Sequence, residues 1–131
     1  MDTDYPPNTI STKRLWLGRV LSALPALLLL FSGTLKLLAL PSVLEGFQRL
    51  GYPESVILGL GIVELGCTIL YLIPKTSILG AVLLTGYLGG ATATHLRVGE
   101  PFIPPVIVGV LVWGGLYLRE KRLAPLLPLR K

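Results

Sequence analysis

The chain has 131 residues, 52% of them hydrophobic and only 15% charged, with a mean hydropathy of +0.71. A soluble domain of this length carries about a quarter charged residues, so the composition points to a single-domain integral membrane protein with no room for a separate soluble module. The net charge of +5 does not point to nucleic acid. The basic residues stand in short clusters beside apolar runs (Lys13 and Arg14; Arg119, Lys121 and Arg122; Arg130 and Lys131), where membrane lipids are the natural partners.

Residues 1–14 read as an N-terminal tail, acidic and proline-containing at its start, with no secretory-signal pattern. The first apolar segment, 15–40, is stopped by Pro41, and Pro25 inside it frees the Leu21 carbonyl and marks a kink site. A second segment, 55–73, lies between Pro53 and Pro74; a third covers 78–96 and a fourth 104–118. The expected fold is therefore all-α, a transmembrane four-helix bundle over 15–119 followed by a basic tail over 120–131. The fourth segment is short for a hydrocarbon core of about 30 Å, which predicts local thinning or a longer helix.

Between the first two spans, Val43, Leu44, Phe47 and Leu50 recur at helical spacing, with Glu45 and Arg49 as an i,i+4 pair on another face. This predicts a short amphipathic helix on the outer surface, closed by a Gly51-Tyr52-Pro53 turn; a plain connecting loop is the alternative. With both termini cytoplasmic, nine basic residues fall inside (Lys13, Arg14, Arg19, Lys75, Arg119, Lys121, Arg122, Arg130 and Lys131) and only Arg49 and Arg97 outside. The asymmetry favours that orientation, in a prokaryotic inner membrane, and suits an even number of spans.

Three ionisable residues interrupt three successive apolar segments: Lys36, Glu64 and His95. Charge at membrane depth costs about 3 to over 10 kcal/mol, so such groups face protein or a water-filled cavity. Helical spacing sets Ser22, Pro25, Leu29, Ser32 and Lys36 on one stripe, then Gly61, Glu64, Cys67, Thr68 and Tyr71, then Tyr87, Ala91, Thr92 and His95. The candidate site is thus Lys36, Glu64, His95 and Arg97, with Ser32, Thr68, Tyr71, Tyr87, Thr92 and Trp113 as candidate lining residues, in a pocket opening outward. Glu64, near the midplane, needs a cation, a ligand or a proton; the Lys36 stem is long enough to reach it.

Each group has a plainer reading. Lys36 can snorkel to headgroups, His95 can cap its helix end, and Cys67 reads as a small buried apolar residue. One cysteine and one histidine exclude a disulfide framework, a metal-thiolate cluster and multi-His haem or zinc sites built by one chain alone, so redox chemistry needs an external cofactor or a partner subunit. Gly86 and Gly90 have GxxxG spacing, which brings helices close within the bundle or between copies in a homo-oligomer.

Several stretches resemble the DoxX-like family of small four-helix membrane proteins. They are Phe31-Ser32-Gly33-Thr34-Leu35-Lys36-Leu37, Glu45-Gly46-Phe47, Leu50-Gly51-Tyr52-Pro53, Gly61-Ile62-Val63-Glu64-Leu65, and the run from Tyr87 to Arg97, whose ending His95-Leu96-Arg97 is the most specific. The resemblance covers about 15–119. It implies a four-helix membrane fold, and a small subunit or ligand-binding component of a membrane oxidoreductase system linked to quinone, with no covalently bound cofactor and with a membrane redox partner. In that setting His95 or Glu64 would accept protons released from a quinol while the partner supplies the redox centre. A non-catalytic scaffold or assembly protein, in which the charged triad only locks the bundle, is the alternative.

Overall fold

Ser11 sets the start of the first helix: its hydroxyl accepts the Arg14 backbone N–H at 3.3 Å and satisfies one of the donors that a helix start leaves open. In the computed structural model, which describes residues 11–123 and 125–126, helix α1 then runs from Thr12–Leu38, unbroken through Pro25. Lys13 and Arg14 therefore belong to the helix and not to a tail ending at residue 14. Ala39 closes α1 in the left-handed region at φ 50°, its N–H on the Lys36 carbonyl at 3.1 Å, a conformation that glycine adopts at lower cost.

Helix α2 (Pro41–Leu50) is the amphipathic helix, with Pro41 in its first turn, where a missing N–H costs nothing. It stops at Gly51, whose φ of 86° a side chain would resist. Arg49 turns away from Glu45, its expected partner, to Glu100 in the loop after α4, 3.5 Å away. A short 3-10 turn (Glu54–Val56) leads into α3 (Ile57–Leu72), and another (Pro74–Thr76) into α4 (Ser77–Arg97). Helix α5 (Ile103–Arg119) carries Pro104 and Pro105 in its first turn. Seventeen residues give it about 25 Å, so it is only slightly longer than the apolar segment suggests.

The four long helices close a ring: α1 packs against α3 and α5, and α4 completes it between α3 and α5. Neighbours run antiparallel. Arg14 near the start of α1 donates to the carbonyls of Leu118 and Tyr117 at the end of α5, while Pro104 and Lys36 line one cavity at the opposite end. Although shorter than α1 and α4, α5 thus reaches from the Lys36 end of the bundle to the Arg119 end.

Tyr71, Ala81, Leu84, Val112 and Leu116 form the packed centre, while Leu27 and Phe31, each 65% exposed, stand on an outside made largely of Leu, Ile and Val. In water that exterior would be unstable; against lipid tails it is what a bundle presents. Three helical stretches, Thr12–Leu38, Glu54–Leu72 and Pro74–Arg97, are long and apolar enough to cross a membrane. Hydroxyls within them bond the carbonyl four residues back, as Thr68 does to Glu64 and Thr85 to Ala81, each at 2.7 Å, so these two hydroxyl hydrogens are not stranded.

The basic tail does not begin at residue 120. A turn at Lys121–Leu123 folds back and buries Leu123 in the core. Next to it the Arg122 guanidinium holds the Glu120 carboxyl below the usual carboxylate range, against the opposite effect of partial burial. The expected tail over residues 1–10, and Arg130 and Lys131, lie outside the described residues.

Candidate functional site

Lys36 sits two residues from the end of α1 and Glu64 seven residues into α3. Side chains on a helix lean toward its N-terminus, so on antiparallel helices these two converge, Lys36 reaching inward and Glu64 back toward the bundle end. Lys36 Nζ lies 2.6 Å from Glu64 Oε1, with the side chains only 10% and 1% exposed. Gly61 makes the approach feasible: a Cβ there would stand 2.9 Å from the Lys36 Cβ and 3.1 Å from the Gly33 carbonyl oxygen.

Two further hydroxyls face the same carboxylate oxygen. Tyr87 donates to it at 2.9 Å, and Ser32, which accepts Lys36 Nζ at 2.7 Å, directs its own hydrogen there over a long 3.5 Å. The ammonium also lies 5.6 Å from the centroid of the Phe47 ring on α2. Three helices and the amphipathic helix thus meet on one ion pair, with its charge shared among hydrogen bonds as burial requires.

This pair forms part of the wall of a cavity of about 830 Å³ between α1, α3, α4, α5 and α2. Leu28, Phe31, Leu60 and Val108 make apolar wall, and Val43, Phe47 and Leu50 of α2 cover it. Tyr52, Thr94, His95, Arg49 and Glu100 also line it. Gly86 and Gly90, the GxxxG pair, border the cavity, and a Cβ on either would meet nothing within 4 Å. Within this bundle the motif therefore makes room rather than helix contact.

The candidate residues separate into groups. Lys36, Glu64, Ser32, Tyr87 and His95 share the cavity. Arg97 does not line it: its guanidinium donates to the Leu50 carbonyl at 3.2 Å, pinning the end of α2. Thr68 and Tyr71 are fully buried and away from it. Thr92 and Trp113 line a separate groove of about 660 Å³ between α4 and α5, where the Trp113 indole donates to Thr85 at 2.6 Å.

Tyr71 belongs instead to a network at the other end of the bundle. Its hydroxyl reaches the Val112 carbonyl at 2.7 Å and Ser22 at 3.0 Å, and the Arg119 guanidinium lies over its ring. Arg119 also donates to Ser22 at 2.8 Å and to Ser77 at 3.3 Å, tying α1, α3, α4 and α5 together. From the sequence Arg119 is only a flanking charge; its signal is that Ser22 and Tyr71 lie on inward stripes at its depth. Phe47, Tyr52, Thr94 and Glu100 were absent from the candidate set, and the amphipathic spacing of α2 is what marks Phe47. Among the described residues, no three His, Cys, Asp or Glu side chains gather as a metal site would need.

A closed ring of lipid-type helices with a buried ion pair beside a cavity defines a small integral membrane protein with an internal polar pocket. The chain belongs to the DoxX-like family, whose model matches residues 20–115. No curated protein and no solved structure matches it.

Proposed function

We propose that this DoxX-like protein binds a small ligand of the quinone class in the Lys36–Glu64 cavity, as a ligand-binding component or small subunit of a membrane oxidoreductase system. The observation that carries the reading is the cavity itself: about 830 Å³, apolar walled, with an ion pair, a tyrosine and a histidine converging on it. Pockets for drug-sized molecules have this character, a largely apolar enclosure with a few placed polar groups. Leu28, Phe31, Phe47 and Val108 suit a hydrophobic ring and tail, and the polar groups suit its oxygens. One cysteine and one histidine provide no redox centre, so electrons would pass through a partner.

The cavity faces outward in this reading and both termini are cytoplasmic, in a prokaryotic inner membrane. Its support is the positive-inside rule, since Arg14, Arg19, Lys75 and Arg119 mark the bundle end opposite Lys36. In intact cells an impermeant thiol reagent is expected to label a cysteine placed at Gly99 and to spare one placed at Lys75. The reverse pattern rejects the orientation.

A second reading, a non-catalytic scaffold, is favoured by one feature: protein groups alone already satisfy Lys36 and Glu64. Native mass spectrometry from mild detergent separates the two. A quinone retained in stoichiometric amount, and lost on Gly86→Leu, which fills the cavity wall, supports the ligand site. A ligand-free protein associated with a redox partner whose activity survives Gly86→Leu supports the scaffold.

A further inference from the structure

Almost every polar hydrogen in the cavity is already committed. Lys36 gives one N–H to Glu64 and one to Ser32, and its ammonium lies over the Phe47 ring. Tyr87 gives its only hydroxyl hydrogen to Glu64. The Thr94 hydroxyl bonds the Gly90 carbonyl at 2.8 Å, so in the 2.9 Å contact between Tyr52 and Thr94 the donor is Tyr52. Ser32 has the one weakly held hydrogen, 3.5 Å from its acceptor, and the Arg49 guanidinium stands on the rim, 66% exposed and turned to Glu100.

His95 completes the inventory. Its Nδ1 lies 2.7 Å from the Ala91 carbonyl oxygen, which can only accept, so Nδ1 carries the hydrogen. In the neutral ring Nε2 is then a lone pair. It has no hydrogen-bond partner among the described residues, and His95 lines the cavity. Apart from the third Lys36 hydrogen on the Phe47 side, the Ser32 hydrogen and the Arg49 rim, the unspent valences are acceptors: His95 Nε2, Glu64 Oε2, and the oxygens of Tyr52 and Tyr87.

We infer that the cavity recognises a ligand that brings its own hydrogen-bond donors, with His95 Nε2 as the specificity-determining acceptor. Within the quinone class, on whose reading this rests, that is the hydroxyl-bearing hydroquinone rather than the dicarbonyl quinone. A quinone carbonyl would meet lone pairs at His95, whereas a hydroquinone hydroxyl donates to it. A site matched to hydroxyls discriminates strongly against an analogue without them, because its own polar groups are then left unpaired.

The test uses the full-length protein in lipid nanodiscs under anaerobic, reducing or oxidising conditions as each probe needs. The probes are 2,3-dimethyl-1,4-naphthoquinone, its hydroquinone, and the dimethyl ether of that hydroquinone, which keeps the ring and lacks donors. The hydroquinone is expected to bind about tenfold or more tightly than either of the others. His95→Phe, which keeps a ring and removes the acceptor, should lower hydroquinone binding to the level of the ether and leave quinone binding unchanged. The single histidine gives a second readout that needs no variant: the ¹⁵N resonance of Nε2 should move on adding hydroquinone and stay in place with the ether. Saturable binding in which the quinone equals or exceeds the hydroquinone overturns the inference and leaves the quinone-class reading standing. Absence of saturable binding for all three overturns that reading and the inference with it.

Discussion

Lys36→Met and Glu64→Gln are each expected to destabilise the protein by about 3–5 kcal/mol, and the double variant by only about 1–2 kcal/mol. The expectation follows from who is stranded. With Lys36 gone, a carboxylate only 1% exposed keeps Tyr87 and a distant Ser32 but no cation; with Glu64 neutralised, an ammonium 10% exposed keeps Ser32 and the Phe47 face. Removing both charges relieves both penalties, because a Met stem packs where the Lys stem lay and a Gln carbonyl still accepts from Tyr87. Reversible unfolding in mixed micelles measures all four members of the cycle. Strict additivity would mean that the two groups do not interact, and the ion pair would have to be abandoned.

The same pair explains which parts of this molecule were legible in its sequence. A charge inside an apolar run declares that it is buried, and helical spacing declares on which face, so the inward stripes of α1 and α3 could be written down residue by residue. Depth is harder. Tyr71 shares a stripe with Glu64, yet seven residues place it about 10 Å further along the helix, within reach of Ser22 and Arg119 rather than the cavity. Thr68, one turn from Glu64, spends its hydroxyl on the Glu64 backbone carbonyl, a local bond that no pattern of polarity announces.

Partners across loops were not legible at all. Glu45 stands one turn from Arg49, and a helix in isolation would pair them, but α2 lies over the cavity mouth and brings Arg49 to Glu100. Thr92 and Trp113 show the corresponding limit on the helices. Which side of α4 and α5 a polar group faces depends on how those helices are rotated in the ring, and it puts both residues in the second groove. Proline and glycine positions marked the helix ends well, apart from Ala39, which holds a left-handed cap that its residue type does not advertise.

Glycines in α4 look alike in the sequence and are expected to behave in opposite ways. Gly80→Ala should cost about 3 kcal/mol, while Gly86→Ala and Gly89→Ala leave stability unchanged or raise it by up to about 1 kcal/mol. A Cβ on Gly80 would run into the backbone N and Cα of Tyr71 and the carbonyl carbon of Leu70, atoms that cannot rotate aside. Helix α4 would have to move off α3 where Ser77 bonds the Tyr71 and Ile73 carbonyls, each at 2.9 Å, and Thr76 bonds Leu70 at 2.7 Å. Those hydroxyls satisfy the last carbonyls of α3, so separation costs hydrogen bonds as well as packing. The displacement would carry Tyr71 with it and strain its bond to Val112 across the bundle. At Gly86 and Gly89 a Cβ meets nothing within 4 Å, so only the better helix propensity of alanine remains. The comparison runs on the same micelle unfolding curves, and a Gly80→Ala protein as stable as the parent would show that α3 and α4 are not in backbone contact at this turn.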